Sequence, residues 1–290
     1  MSLGILFSLI ALFGWGLADF YIQKTTRVVG IWKSLFFVGL CGLIFLSPFV
    51  LKEIPAIIFQ PANLYLFLVL SMVSLAATLF DFEALKEGKI AIVEPIIGLE
   101  LPITVGLSVA ILAEKLSFLQ AFLILLTFLG IIFAIAKEKN YLKYHRRIFE
   151  KGAIMAGVGA VGMALTNFLV GYASQEVSAL ATIWFILSIL CIVSFIYLLA
   201  TKQARTLIND LRQNSEIIFA QSFLNNAGWL AFAFATTYTS ISIATTISES
   251  YIVLGVLLGF FINKEKLRLH QLAGIVVVIG SIIILSSISN

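Results

Sequence analysis

The chain has 290 residues, of which 61% are hydrophobic and only 12% charged, with a mean hydropathy of +1.07. An ordinary soluble domain carries about 25% charged residues, so a water-soluble globule is excluded; at about 20 apolar residues per bilayer crossing, ten spans leave short loops and no soluble domain. The net charge of +4 comes from nineteen Lys and Arg that sit mostly between the hydrophobic runs, which reads as membrane topology and not as nucleic-acid binding.

The first run covers residues 3–22. It lacks a basic leader and a small-residue cleavage pattern and continues past Asp19, so it is expected to be a retained span. Further spans are expected at 30–51, 63–82, 89–112 and 117–136. A charged connector, KEKNYLKYHRRIFEK from Lys137 to Lys151, then falls near the midpoint. Five more spans follow at 152–172, 178–200, 215–238, 241–262 and 269–288. Only helices or closed barrels satisfy every backbone group in hydrocarbon, and alternating barrel strands are absent, so the expected fold is all-α with ten transmembrane helices. The two cysteines, Cys41 and Cys191, lie inside apolar runs, while His145 and His270 sit in charged connectors, so neither a disulfide framework nor a metal cluster is expected.

The halves resemble each other. A displacement of 151 lays Glu114, Lys115, Leu116 and Gln120 on Glu265, Lys266, Leu267 and Gln271. A displacement of 148 aligns Gly4, Gly14, Leu17 and Phe20 with Gly152, Gly162, Leu165 and Phe168, and sets Asp19 opposite Asn167. The expected organisation is therefore a first repeat at 1–140, a basic linker at 141–151 and a second repeat at 152–290. Five spans per half is an odd number, so the second repeat enters the membrane inverted, with a site expected near the midplane between the halves. The connectors after odd-numbered spans, with their flanking span ends, hold seventeen of the nineteen basic residues; the opposite side has only Lys52 and Lys115. The positive-inside rule makes the odd connectors cytoplasmic and puts both termini outside, most simply in a plasma (inner) membrane.

Two five-helix halves, Trp15-Gly16 within LFGWGLADF, Pro102 in the fourth span, and the paired junctions EKLSFLQ and EKLRLHQ resemble the EamA-type transporters of the drug/metabolite transporter superfamily. The likeness covers essentially the whole chain. It implies ten helices in two inverted repeats and secondary transport of small metabolites, often export, by alternating access. It does not name a substrate, because that family carries amino acids, amines, sugars and nucleotide sugars. The ninth span departs from the pattern: it has no Pro and carries Glu249 and Tyr251 instead.

An ionisable side chain inside a span is costly and usually faces a cavity or a partner. Glu100 and Glu249 are the deepest acids, and Asp19 and Glu94 lie nearer the basic side, where Lys24, Arg27, Lys33 and Lys89 are alternative partners. Glu94 precedes Pro95 and Glu100 lies two before Pro102, so the fourth span is expected to kink. Six residues turn an ideal helix through about 240° net, which keeps Glu94 and Glu100 off one narrow face. These four acids are the candidate substrate- or proton-binding residues. Trp15, Asn167, Asn225, Asn226, Trp229 and Tyr251 are candidate cavity-lining residues, with interhelical packing or hydrogen bonding as the alternative for each. Tyr251 and Glu249 are two apart, so a site shared by both needs a helix break. Asp81 and Glu83, at the expected end of the third span, read as solvated. The small residues of GVGAVGMA, Gly157 to Ala164, read as close helix packing.

The buried charge is acidic: four acids against Lys33, itself near a span end. That sign favours a carrier of a small cationic or zwitterionic metabolite such as an amino acid or amine, in which protonation of a carboxylate in the empty carrier couples substrate to proton flow. An organic-anion or nucleotide-sugar carrier would call for Lys or Arg in the cavity. An intramembrane enzyme lacks a visible nucleophile or metal motif, and a non-transporting scaffold fits the duplication poorly. No P-loop or other cofactor motif is present. The expected partners are a small molecule, the lipid bilayer and protons, and the duplication makes a monomer sufficient.

Overall fold

The structure is a computed structural model that describes residues 2–87, 93, 96–135, 146–263 and 267–289. Lys89, Glu94, Pro95, the linker through His145, and Glu265 and Lys266 of the second junction lie outside the described residues. Every described element is helical: α1 Leu3–Val29, α2 Ile31–Val50, α3 Ile54–Ile58, α4 Pro61–Glu87, α5 Glu100–Ile111, α6 Phe118–Ile135, α7 Arg146–Glu176, α8 Ala179–Ala200, a 3₁₀ turn Gln203–Thr206, α9 Leu207–Tyr238, α10 Ile241–Ser248, α11 Tyr251–Asn263 and α12 Leu269–Ile288. Among the described residues, nine segments are long and apolar enough to cross a membrane, one of them Ile241–Leu258 running through α10 and α11, and the shorter apolar α5 accompanies them.

Several boundaries differ from expectation for local reasons. Ser2 and Ser178 accept from the backbone N–H three residues on and fix the starts of α1 and α8. The amphipathic stretch before Ser215 is helical, but non-helical angles at Asn214 (φ −129°, ψ 26°) kink α9 where the expected eighth span begins. Helix α7 starts at Arg146, inside the expected linker. Helix α4 runs to Glu87, five residues past the expected span end, so Asp81 lies about 9 Å from its terminus at 1.5 Å per residue.

The fourth and ninth spans are both interrupted, at Gly98–Leu99 and at Glu249–Ser250, and these breaks are again displaced by 151. In the fourth span Pro102 has no N–H for the Gly98 carbonyl, so the proline sits in the first turn of a new helix, where it is tolerated. The ninth span breaks without proline. Hydroxyls of Thr246 and Ser250 donate to the carbonyls of Ser242 and Thr246, and Ser250 N and Val253 N bond three residues back instead of four.

Helix α1 packs chiefly on α9, α4 on α7, α2 on α8, α6 on α12, and α5 against both α7 and α10. Exchanging the halves leaves the main pairs unchanged, since α1 with α9 becomes α7 with α4. At the α6–α12 crossing a Cβ on Gly274 would lie 2.4 Å from Ala134 N and 2.6 Å from Gly130 O, so only glycine permits that approach. The duplicated junctions serve this pair. Gln120 caps α6 by accepting from Ser117 N, and its amide donates to Ser289 beyond α12; Gln271 accepts from Arg268 N and donates to Ala134 O near the end of α6. Each junction glutamine thus caps its own helix and ties down the far end of its counterpart.

Candidate functional site

The bundle encloses a cavity of about 60 Å³, room for roughly four waters at some 15 Å³ each. Trp15, Asp19 and Ile22 of α1, Ser74, Thr78 and Asp81 of α4, Glu100 of α5, Met163 and Asn167 of α7, Asn225 and Trp229 of α9, and Glu249 and Tyr251 at the ninth-span break line it, together with apolar side chains of α2 and α8. It extends from mid-bundle toward the ends of α1 and α4 that lead into basic connectors. The other end is packed shut: Gly4 abuts Thr239, Phe7 stacks on Phe234 and Tyr238, and Glu114 accepts hydrogen bonds from Ile241 N, Ser242 N and the Ser242 hydroxyl.

At the centre one side chain joins two acids from different halves. The Asn167 amide donates from Nδ2 to Glu249 Oε1 at 3.0 Å and to Glu100 Oε2 at 3.4 Å. Asn167 and Glu249 are each 1% exposed and Glu100 6%. Trp15 packs edge-on against Trp229 at 4.9 Å between centroids and lies 6.1 Å from Tyr251, making an aromatic wall beside the carboxyls. The break at Glu249–Ser250 is what lets Glu249 and Tyr251 face one cavity. No Lys, Arg or His is among the described lining residues. Lys33, the one base near a span interior, is held 2.6 Å from Asp210 and also donates to Thr206, so it pairs with neither Asp19 nor the central acids. Two buried acids are thus bridged by a neutral amide, in a cavity with no base among its described lining residues.

Eight of the ten sequence candidates therefore share one cavity: Trp15, Asp19, Glu100, Asn167, Asn225, Trp229, Glu249 and Tyr251. Glu94 lies outside the described residues. Asn226 is the exception; its amide donates to Val38 O at 3.0 Å and fastens α9 to α2. Asp81 requires the opposite correction. It lines the same cavity as Glu249 instead of lying in solvent, because α4 continues beyond it. The sequence signal for it was present: Ser74, Thr78 and Asp81 follow the 4-then-3 spacing that puts all three on one helix face. The small residues of α7 act as expected, with Gly162 against Ala77 and Gly159 against the Asp81 backbone.

The model of the EamA-like transporter family matches residues 2–136 and 150–287. The chain belongs to the EamA-like transporter family. The two matched stretches correspond to its two halves, and the chain is accordingly a multi-pass integral membrane protein of a transporter family. No curated protein matches the chain. A solved structure described only as the crystal structure of a protein is similar over 100% of this chain and 97% of its own, with a TM-score of 0.71 and 12% identity, a likeness that speaks for the fold alone.

Proposed function

We propose that this EamA-like protein is a secondary transporter of a small cationic or zwitterionic metabolite, such as an amino acid or amine, and that it works as an exporter by alternating access. The observation that carries the reading is the sign of the cavity: Asp19, Asp81, Glu100 and Glu249 line it, and no basic side chain does so among the described residues. Phosphate or nucleotide-sugar recognition would call for Arg or Lys there.

Ten spans in two inverted repeats, residues 1–140 and 152–290, are supported by the helix pairings that survive exchange of the halves and by the matching breaks in the fourth and ninth spans. The packed end around Gly4, Phe7 and Glu114, opposite a cavity that reaches toward the basic connectors, fits one of the two states of such a cycle. Glu100 and Glu249 are the favoured exchange pair. A proton neutralises them in the empty carrier and leaves when a cation arrives, which couples the two flows. The monomer holds both halves of the pathway. The seventeen basic residues of the odd connectors orient it in the plasma membrane with both termini outside, and a reporter at either end giving a cytoplasmic signal would reject that orientation.

The direct test is counterflow in liposomes containing the purified protein, across labelled amines, amino acids, sugars and nucleotide sugars. Exchange of one or more cationic or zwitterionic compounds is expected. Exchange confined to nucleotide sugars or other anions would refute the reading.

A further inference from the structure

Three polar atoms of cavity-lining residues are buried without a hydrogen-bond partner among the described residues: Trp15 Nε1, Asn167 Oδ1 and Glu249 Oε2. A buried group left unpaired carries its full desolvation penalty, so such atoms call for an occupant that satisfies them. Two of the three are acceptors on residues that touch each other. Asn167 and Glu249 are already joined through Nδ2 and Oε1, and each turns its remaining acceptor to no partner. The amide orientation follows from its neighbours, because the flipped form would set its oxygen against the carboxylates of Glu100 and Glu249.

We infer that Asn167 Oδ1 and Glu249 Oε2 form the head-group position for an ammonium that bears N–H bonds, and that this position discriminates against quaternary ammonium ions. The inference rests on the cationic reading above and sharpens it to a primary or secondary amine. Such a head group reaches acceptors at about 2.8 Å and satisfies both. A quaternary nitrogen donates nothing, and its methyl carbons stand off the same oxygens at about 3.5 Å or more. Sites built to hydrogen-bond a ligand group reject analogues that lack it by roughly 10⁴-fold. An aromatic cage is the usual alternative for quaternary ions, but Trp15 packs on Trp229, Phe232 and Tyr251 and against Gly228, so these rings contact one another instead of surrounding an open box.

Ethanolamine and choline test this directly, since they share charge and a hydroxyethyl arm and differ only in three N-methyl groups. Binding to the purified full-length protein is measured by equilibrium dialysis and by thermal stabilisation. Saturable ethanolamine binding at least about 100-fold tighter than choline is expected, and Asn167→Leu and Glu249→Gln should each lose most of that preference. The wild-type comparison stands even if a variant fails to fold. Equal binding, or tighter choline, overturns the head-group assignment while leaving the cationic reading intact. Absence of ethanolamine binding overturns the assignment too, and saturable binding of a nucleotide sugar in its place overturns both.

Discussion

Glu114 is the junction residue whose removal has the most readable consequence. Its carboxylate accepts from Ile241 N at 2.7 Å, from Ser242 N at 3.1 Å and from the Ser242 hydroxyl, so it holds the first turn of α10 against the loop that follows α5. A carboxylate at a helix N-terminus gains both from orphan N–H groups and from the helix dipole. Glu114→Ala removes all three bonds; hydrogen bonds to a charged group contribute about 1.5–3 kcal/mol apiece. Water replaces part of this at a half-buried site, so a net loss of about 2 kcal/mol is expected, close to a 30-fold rise in the open population of that end. The assay places a cysteine at Thr239, which packs on Gly4, in a background with Cys41 and Cys191 changed to serine. The rate of modification by a membrane-impermeant maleimide is then followed. Glu114→Ala should raise it by more than tenfold, and Glu114→Gln, which keeps one acceptor oxygen, by an intermediate amount. A change of less than threefold in the alanine variant would refute the view that this carboxylate holds the end closed.

Other residues make contrasting predictions. Asp81→Asn should lower exchange of a cationic substrate at least tenfold with little change in thermal stability, because the side chain lines the cavity; wild-type exchange would return it to the solvated class. Asn226→Ala should do the reverse, costing about 1 kcal/mol through loss of the bond to Val38 O while leaving substrate preference unchanged in the same counterflow assay. Gly274→Leu should destabilise the α6–α12 crossing by several kcal/mol, since its Cβ alone would meet Ala134 N at 2.4 Å; a melting temperature within 2 °C of wild type by the estimate of a few degrees per kcal/mol would contradict that packing.

Much of this arrangement was legible in the sequence because the charges are few. Asp19, Glu100 and Glu249 stood out against apolar runs, and hydrocarbon forces such groups toward a cavity. The need for a break between Glu249 and Tyr251 was also readable from their two-residue spacing. What the sequence hid depended on where helices end and which way amides turn. Asp81 read as solvated because the third span was expected to end at residue 82, yet α4 runs on to Glu87. Asn225 and Asn226 are neighbours in sequence, but about 100° of helical rotation sends the first to the cavity and the second to α2. The bridging of Glu100 and Glu249 by Asn167 joins residues 67 and 82 positions apart, a juxtaposition set by packing of α7 against α5 and the ninth-span break.

The central claim is that paired acids in this cavity select a cation. Counterflow of labelled ethanolamine and a labelled nucleotide sugar, in liposomes carrying either wild-type protein or the Glu100→Gln/Glu249→Gln double variant, tests it most directly. The account predicts amine exchange by the wild type, its loss in the double variant, and no nucleotide-sugar exchange by either. Amine exchange of equal rate in both proteins, or nucleotide-sugar exchange by the wild type, would contradict it.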